Sequence, residues 1–204
     1  MPAHAPAARR RPKPGERRLQ ILQTLAGMLE QPGAERVTTA ALAARLQVSE
    51  AALYRHFASK AQMFEGLIDF IESSVFGLIN QINEREPAGP VRAARIVAMV
   101  LQFAEKNPGM ARVMVGDALV YEHERLQQRM NQLFDKLEAA LRQCLRDGVA
   151  ADAAQPPSLT PDADAQAAAS VLAAFVAGRL QRFARSGFRR RATEQLDACL
   201  ALVL

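Results

Sequence analysis

The chain has no tryptophan, two tyrosines, three histidines and two cysteines in 204 residues. Each shortage excludes something. His4, His56 and His123 are the only histidines, and no two stand four apart, so no helical pair of imidazoles can grip a metal. The GxSxG, HExxH, P-loop and GxGxxG patterns are all missing. No catalytic residue, metal site or cofactor is expected. Cys144 and Cys199 have no CxxC spacing and no secretory leader ahead of them, so both read as buried thiols in a reducing compartment. No apolar run approaches the roughly 20 residues that cross a bilayer. No stretch of alternating β-branched residues suggests a strand. The expectation is a soluble, cytoplasmic, all-α protein.

What the chain does have is helix-forming residues. Half its residues are apolar and 23% are charged, a globular balance dominated by alanine and leucine. The length suffices to bury a core in one large domain or two small ones. The net charge is +5, and its placement is uneven. Residues 1–60 carry ten Lys/Arg against four Asp/Glu, whereas residues 61–204 carry 16 against 17. A polyanion-binding module joined to a near-neutral body has this profile.

Residues 1–14, "MPAHAPAARRRPKP", read as a disordered basic tail, either a phosphate-attracting arm or a solubilising one. A first helix is expected over 16–31, with leucines at three- and four-residue spacing and Pro32-Gly33 as its stop. Thr38 and Thr39 are candidate N-caps of a second helix. Ser49 starts a third, to about His56, and Ser59 starts a fourth, to about Asn83. A fifth covers about 91–106, and 109–120 is short or broken. A long helix ends at Gly148 as its C-cap, and 149–161 is a loop. Helices over about 162–185 and 193–203 close the chain. The domains are then a 15–60 DNA-binding unit and a 61–204 helical body for dimerisation and partner binding.

"TAALAARLQVSEAALYRHF" (39–57) reads as a helix–turn–helix. Leu42, Ala43, Leu46 and Val48 face inward from its first helix, and Leu53 and Phe57 from its second. Ser49, Glu50, Ala51 and Ala52 make a slim helix start that can enter the major groove and meet base edges. Tyr54, Arg55, His56 and Lys60 follow on or beside it and can hold phosphates. The turn carries Gln47 where glycine is convenient. Two packed core helices with no ligand remain the plain alternative. His56 has no histidine partner for a metal, and reads as a backbone contact or a packed residue rather than a catalyst.

These residues resemble the DNA-binding domain of TetR-type transcription regulators. "LYRHFASK" is close to the family phrase LYxHFxxK. Beyond it, "EKNPGMARVMVGDALVYEHERLQQRMNQLF" and "GRLQRFARSGFRRRATEQLDA" resemble the branch of that family that keeps division septa off the nucleoid. The resemblance implies an all-helical homodimer that reads a palindromic duplex through Thr38, Thr39, Ser49, Glu50, Ala51, Tyr54, Arg55, His56 and Lys60. It also implies that the DNA-bound protein takes the C-terminal tail of the tubulin-like division protein FtsZ along its fourth and fifth helices. No membrane contact and no small-molecule ligand are expected. A ligand-responsive repressor on the same fold is the alternative function.

On a wheel of the fourth helix, Phe64, Leu67, Ile68, Ile71, Val75, Leu78, Ile79 and Ile82 make one stripe. Phe70 lies about 120° off its centre and Phe76 about as far on the other side. Phe70 packs on the first helix or on a dimer mate, or else is an exposed anchor for a partner peptide, with Met99, Gln102 and Lys106 as the facing wall. Leu78 stands where the resemblance leads to a basic residue, and Gln102 where it leads to glycine. The alanine-rich 165–185 helix and the last helix are candidates for a four-helix dimer interface. Arg189, Arg190 and Arg191 between them read as a solvated loop.

Overall fold

The computed structural model describes residues 15–31, 36–151 and 161–204, and their side chains except at 149–151 and 161. The basic tail and most of the loop before 161 fall outside these residues. The helices are α1 Glu16–Leu29, α2 Thr39–Leu46, α3 Glu50–Tyr54, α4 Lys60–Arg85, α5 Pro90–Lys106, α6 Pro108–Met114, α7 Glu124–Ala151, α8 Pro161–Arg185 and α9 Leu196–Leu200, with a 3-10 turn at Asp117–Leu119. Among the described residues there is no strand.

Local capping sets the starts. Thr38 Oγ1 accepts from the Ala41 N–H at 3.1 Å, Ser49 Oγ from Ala52 at 3.3 Å, and Ser59 Oγ from Gln62 at 3.2 Å. Pro90 and Pro108 open α5 and α6, where a missing N–H costs nothing. One apolar core runs from Ile21 in α1 to Leu200 in α9. α4 ties the head to the body: Met63 and Phe64 are buried at its start, Val75 and Ile79 further along.

Several boundaries shift from the sequence expectation, among them the end of α1 at Leu29 rather than residue 31, and three of the shifts have a visible cause. α3 ends at Tyr54 rather than His56, because the Leu53 carbonyl takes both the His56 and the Phe57 N–H and closes a turn. α9 is confined to Leu196–Leu200, because Gln195 sits in the left-handed region (φ 51°) and blocks an earlier start. Gly148 caps nothing and lies inside α7, which continues to Ala151. Its missing side chain serves a crossing. A Cβ there would meet the Gly89 Cα at 2.2 Å, so the turn before α5 can lie directly on α7. Gly109 does the same for α6, where a Cβ would strike the Ala26 carbonyl of α1 at 2.2 Å.

Cys144 is buried beside that crossing and its thiol donates to the Gly89 carbonyl at 3.4 Å. Burial pushes the thiol's pKa up, which keeps it protonated and inert. Cys199 departs from the expectation: it is only half-buried, and its Sγ accepts from Arg179 at 3.1 Å.

Candidate functional site

The head, α1 to α3 with the start of α4, presents α3 outward. Gln47 takes the left-handed conformation that the turn requires (φ 55°, ψ 47°), and the Val48 N–H returns to the Ala43 carbonyl at 3.0 Å. That seals α2 and turns the chain into Ser49. Leu53 and Phe57 anchor the far side of α3 in the core, at 0% and 1% exposure.

The candidate DNA-facing residues fall into two groups. Thr38, Ser49, Glu50, Ala51, Tyr54, Arg55 and His56 are exposed; Thr39 and Lys60 are half-buried. Several are already engaged in holding the site. Thr38 and Ser49 spend their oxygens as caps. Thr39 Oγ1 donates to Glu50 Oε2 at 2.6 Å, which stitches the start of α2 to the start of α3 and draws the carboxylate toward the protein. The His56 side chain is outside, while its carbonyl accepts from Arg18 Nη1 at 2.8 Å. The Arg18 guanidinium also lies over the Phe57 ring, 4.0 Å from its centre. The exposed leading edge left over is Ala51 with Tyr54 and Arg55.

Lys60 is already paired within the chain. Its Nζ pairs with Glu122, a carboxylate only 8% exposed in the turn before α7. Next to it, the Arg36 guanidinium stands 5.9 Å from the centre of the Tyr121 ring. Arg18, Arg36, Tyr121 and Glu122 therefore fix the head, and sequence reasoning singled out none of them. Lys60 and Glu122 are 62 residues apart, so no local spacing announces the pair.

On the body, α4 buries Phe64, Leu67, Ile68, Ile71, Val75 and Ile79 as the wheel requires. Leu78 of that stripe instead stays 37% exposed. Phe70 is 46% exposed and meets α5 through Phe103, ring centres 6.2 Å apart and tilted by 37°. Its packing partner within the chain is thus α5, not α1. Gln102 and Lys106 are exposed on α5 and Met99 is half-buried. Charge lines the other flank of α4. Arg129 of α7 bridges Asp69 at 2.9 Å and Glu72, and Arg125 pairs with Glu65 at 2.8 Å.

Residues 21–67 match the family of bacterial regulatory proteins described as tetR, and residues 89–204 match the tetracyclin repressor-like C-terminal domain of SlmA-like type. The nucleoid occlusion factor SlmA of Alteromonas mediterranea is 48% identical over 185 residues, covering 91% of this chain and 92% of its own. That of Yersinia enterocolitica is 48% identical over 189 residues, covering 92% and 93%. Among solved structures, the TetR-family transcriptional regulator PfmR from Thermus thermophilus overlays 91% of this chain and 97% of its own (TM-score 0.66, 23% identity). The Bacillus subtilis regulator FadR with stearoyl-CoA overlays 91% and 96% (TM-score 0.69, 14% identity), a likeness of fold alone.

Proposed function

The chain belongs to the tetR family of bacterial regulatory proteins and, within it, to the nucleoid occlusion factors, and from that premise we propose that it binds a palindromic DNA site as a homodimer and, once bound, restrains cell division. In detail, the DNA-bound dimer takes the C-terminal tail of FtsZ and inhibits Z-ring assembly over the chromosome. It is not an enzyme, and it works in the cytoplasm on the nucleoid. No helix among the described residues is long and apolar enough to cross a membrane.

The observation that carries the DNA half is the leading edge of α3. A capped helix start with a small exposed residue, Ala51, can approach base edges without a clash. Tyr54 and Arg55 flank it with phosphate-binding groups. Dimer formation fits the outer face of α8. Ala167, Ala174 and Gly178 are exposed there, and Gly178 has no atom near the position of a Cβ. Small residues at that spacing let a second helix approach closely, and exposed Val171 and Leu202 add apolar area. The partner half rests on Phe70. An exposed ring backed by Phe103, with Leu78 two turns along α4 to one side and Lys106 of α5 to the other, suits a peptide with an apolar side chain and an acidic end.

The test is light scattering of FtsZ polymers with GTP, the protein, and a palindromic duplex that it binds. Scattering falls only when duplex and protein are both present. Phe70→Ala loses that effect at least about tenfold while keeping its DNA affinity, since it touches only the peptide face. A DNA-bound protein that leaves the polymers unchanged would return the ligand-responsive repressor reading.

A further inference from the structure

The body is near neutral as a whole, yet "RFARSGFRRR", residues 182–191, carries Arg182, Arg185, Arg189, Arg190 and Arg191 without an acid among them. All five are exposed. Among the described residues, only Arg190 of the five pairs with a carboxylate, Glu194 at 3.2 Å. The three consecutive arginines line a shallow concavity with Ser186 and Glu194.

The turn that holds them is built rigidly. Gly187 and Phe188 both take left-handed backbone (φ 62° and 64°), a conformation that a phenylalanine adopts only under constraint. The constraint is visible. The Phe188 ring lies 5.2 Å from Phe183 on one side and 5.2 Å from the guanidinium of buried Arg112 on another. Ser186 Oγ accepts from the Arg190 N–H at 2.9 Å and donates to the Phe183 carbonyl at 2.8 Å. Arg189 Nε donates to the Ser186 carbonyl at 3.0 Å. The arginines leave a fixed platform, not a loose loop.

The platform also stands at the head's end of the body. α8 runs antiparallel to α7: Gln166, near its start, bonds Glu138 at 2.7 Å and Arg142 at 3.1 Å in the middle of α7. Followed along that register, the end of α8 reaches the start of α7, where Glu122 meets Lys60 of the head. Glu105, in the last turn of α5, accepts from the Thr193 N–H at 2.8 Å just beyond the arginines. The next helix, α6, lies on α1 of the head.

We propose that the α8–α9 turn is a second phosphate-binding surface, which grips the DNA backbone beside the segments read by the two heads. This rests on the DNA-binding reading above. With α8 and α9 at the dimer interface, the two turns come together near the dyad and face the centre of the palindrome. Arginines held there add affinity and salt sensitivity but read no base.

The test uses the full-length protein and a duplex selected by it from a random pool. Two variants are compared with it: Arg189→Gln/Arg191→Gln in the turn, and Arg182→Gln/Arg185→Gln on the surface of α8, where the turn is untouched. Each removes four charges per dimer, at about 0.9 in the slope of log affinity against log salt per phosphate released. The slope should become shallower by about 2 to 4 in each variant. Affinity should fall roughly tenfold or more at about 100 mM salt, with base preference in the half-sites unchanged. If the wild type selects no duplex, the DNA-binding reading fails. If it selects one and both variants keep its slope and affinity, the second surface is overturned and the arginines are left to an acidic protein.

Discussion

In the head, several polar side chains around the α2–α3 turn are committed to the scaffold before any ligand arrives. Thr38 and Ser49 are caps, Thr39 holds Glu50, and Arg18 holds the His56 carbonyl. On the α4–α5 face the apolar Phe70 and Leu78 stand exposed beside Gln102 and Lys106, and Phe70 touches α5 through one ring contact. The first region fixes the position of a backbone edge to which few side chains add base contacts. The second offers an anchor that the fold itself hardly uses. Damage to the head should therefore show as lost geometry or a blocked edge, and damage to the face as lost binding at little cost in stability.

The largest expected effect comes from blocking the edge. Ala51→Glu places a carboxylate on the exposed leading face of α3, where phosphate oxygens and base acceptors would oppose it. Binding of a selected duplex should fall by about a hundredfold or more, while the melting temperature stays within about 2 °C, because an exposed helical position tolerates Glu. The Phe70→Ala protein should keep full DNA affinity in the same titration. Equal losses in both variants would erase the distinction between the two regions.

The joint between the regions gives the next effect, and it is asymmetric. Glu122 is 8% exposed and Lys60 26%. Lys60→Met leaves a carboxylate nearly buried and unpaired, whereas Glu122→Gln leaves a lysine that can still reach water. The first should cost about 2–3 kcal/mol of unfolding free energy and the second about 1, measured by urea denaturation. Because the lysine side also tests phosphate contact, its DNA affinity is read beside that of the Glu122→Gln protein, which breaks the pair but keeps the lysine. The reverse order of stability would show that the pair is solvated rather than part of the joint.

These cases divide what was legible in the sequence from what was not. Caps, turn and apolar periodicity are local, and so the starts of α2, α3 and α4 and most of the core stripe of α4 follow from neighbouring residues. In α1 the leucine spacing points to Leu19, which is 56% exposed, while Ile21 is the residue buried beside Leu25 and Leu29. Gly148 looked like a stop because glycine ends many helices; its true constraint is Gly89, which lies beyond reach of any local pattern. Leu78 fits the stripe on a wheel, yet a wheel carries no information on where a neighbouring helix stops covering it. The exposed α3 residues were legible as a group, but their division into scaffold and free edge was not, since it depends on Glu50 meeting Thr39 across the turn.

The smallest effect returns to that turn. Gln47 holds φ 55°, a left-handed conformation that costs a side-chain-bearing residue about 1–2 kcal/mol. Glycine adopts it freely but loses more chain entropy on folding, by roughly 0.5–1 kcal/mol. These two contributions largely offset, and Gln47→Gly also gives up the interactions of the side chain, so stability in urea denaturation should change by less than about 1 kcal/mol. DNA affinity should change less than twofold, because the geometry between α2 and α3 is already the one glycine would adopt. A loss well above about 1 kcal/mol would mean that the Gln47 side chain, which lines one concavity with Gln20 and Thr24, holds the α1–α2 surface more strongly than the strain opposes it.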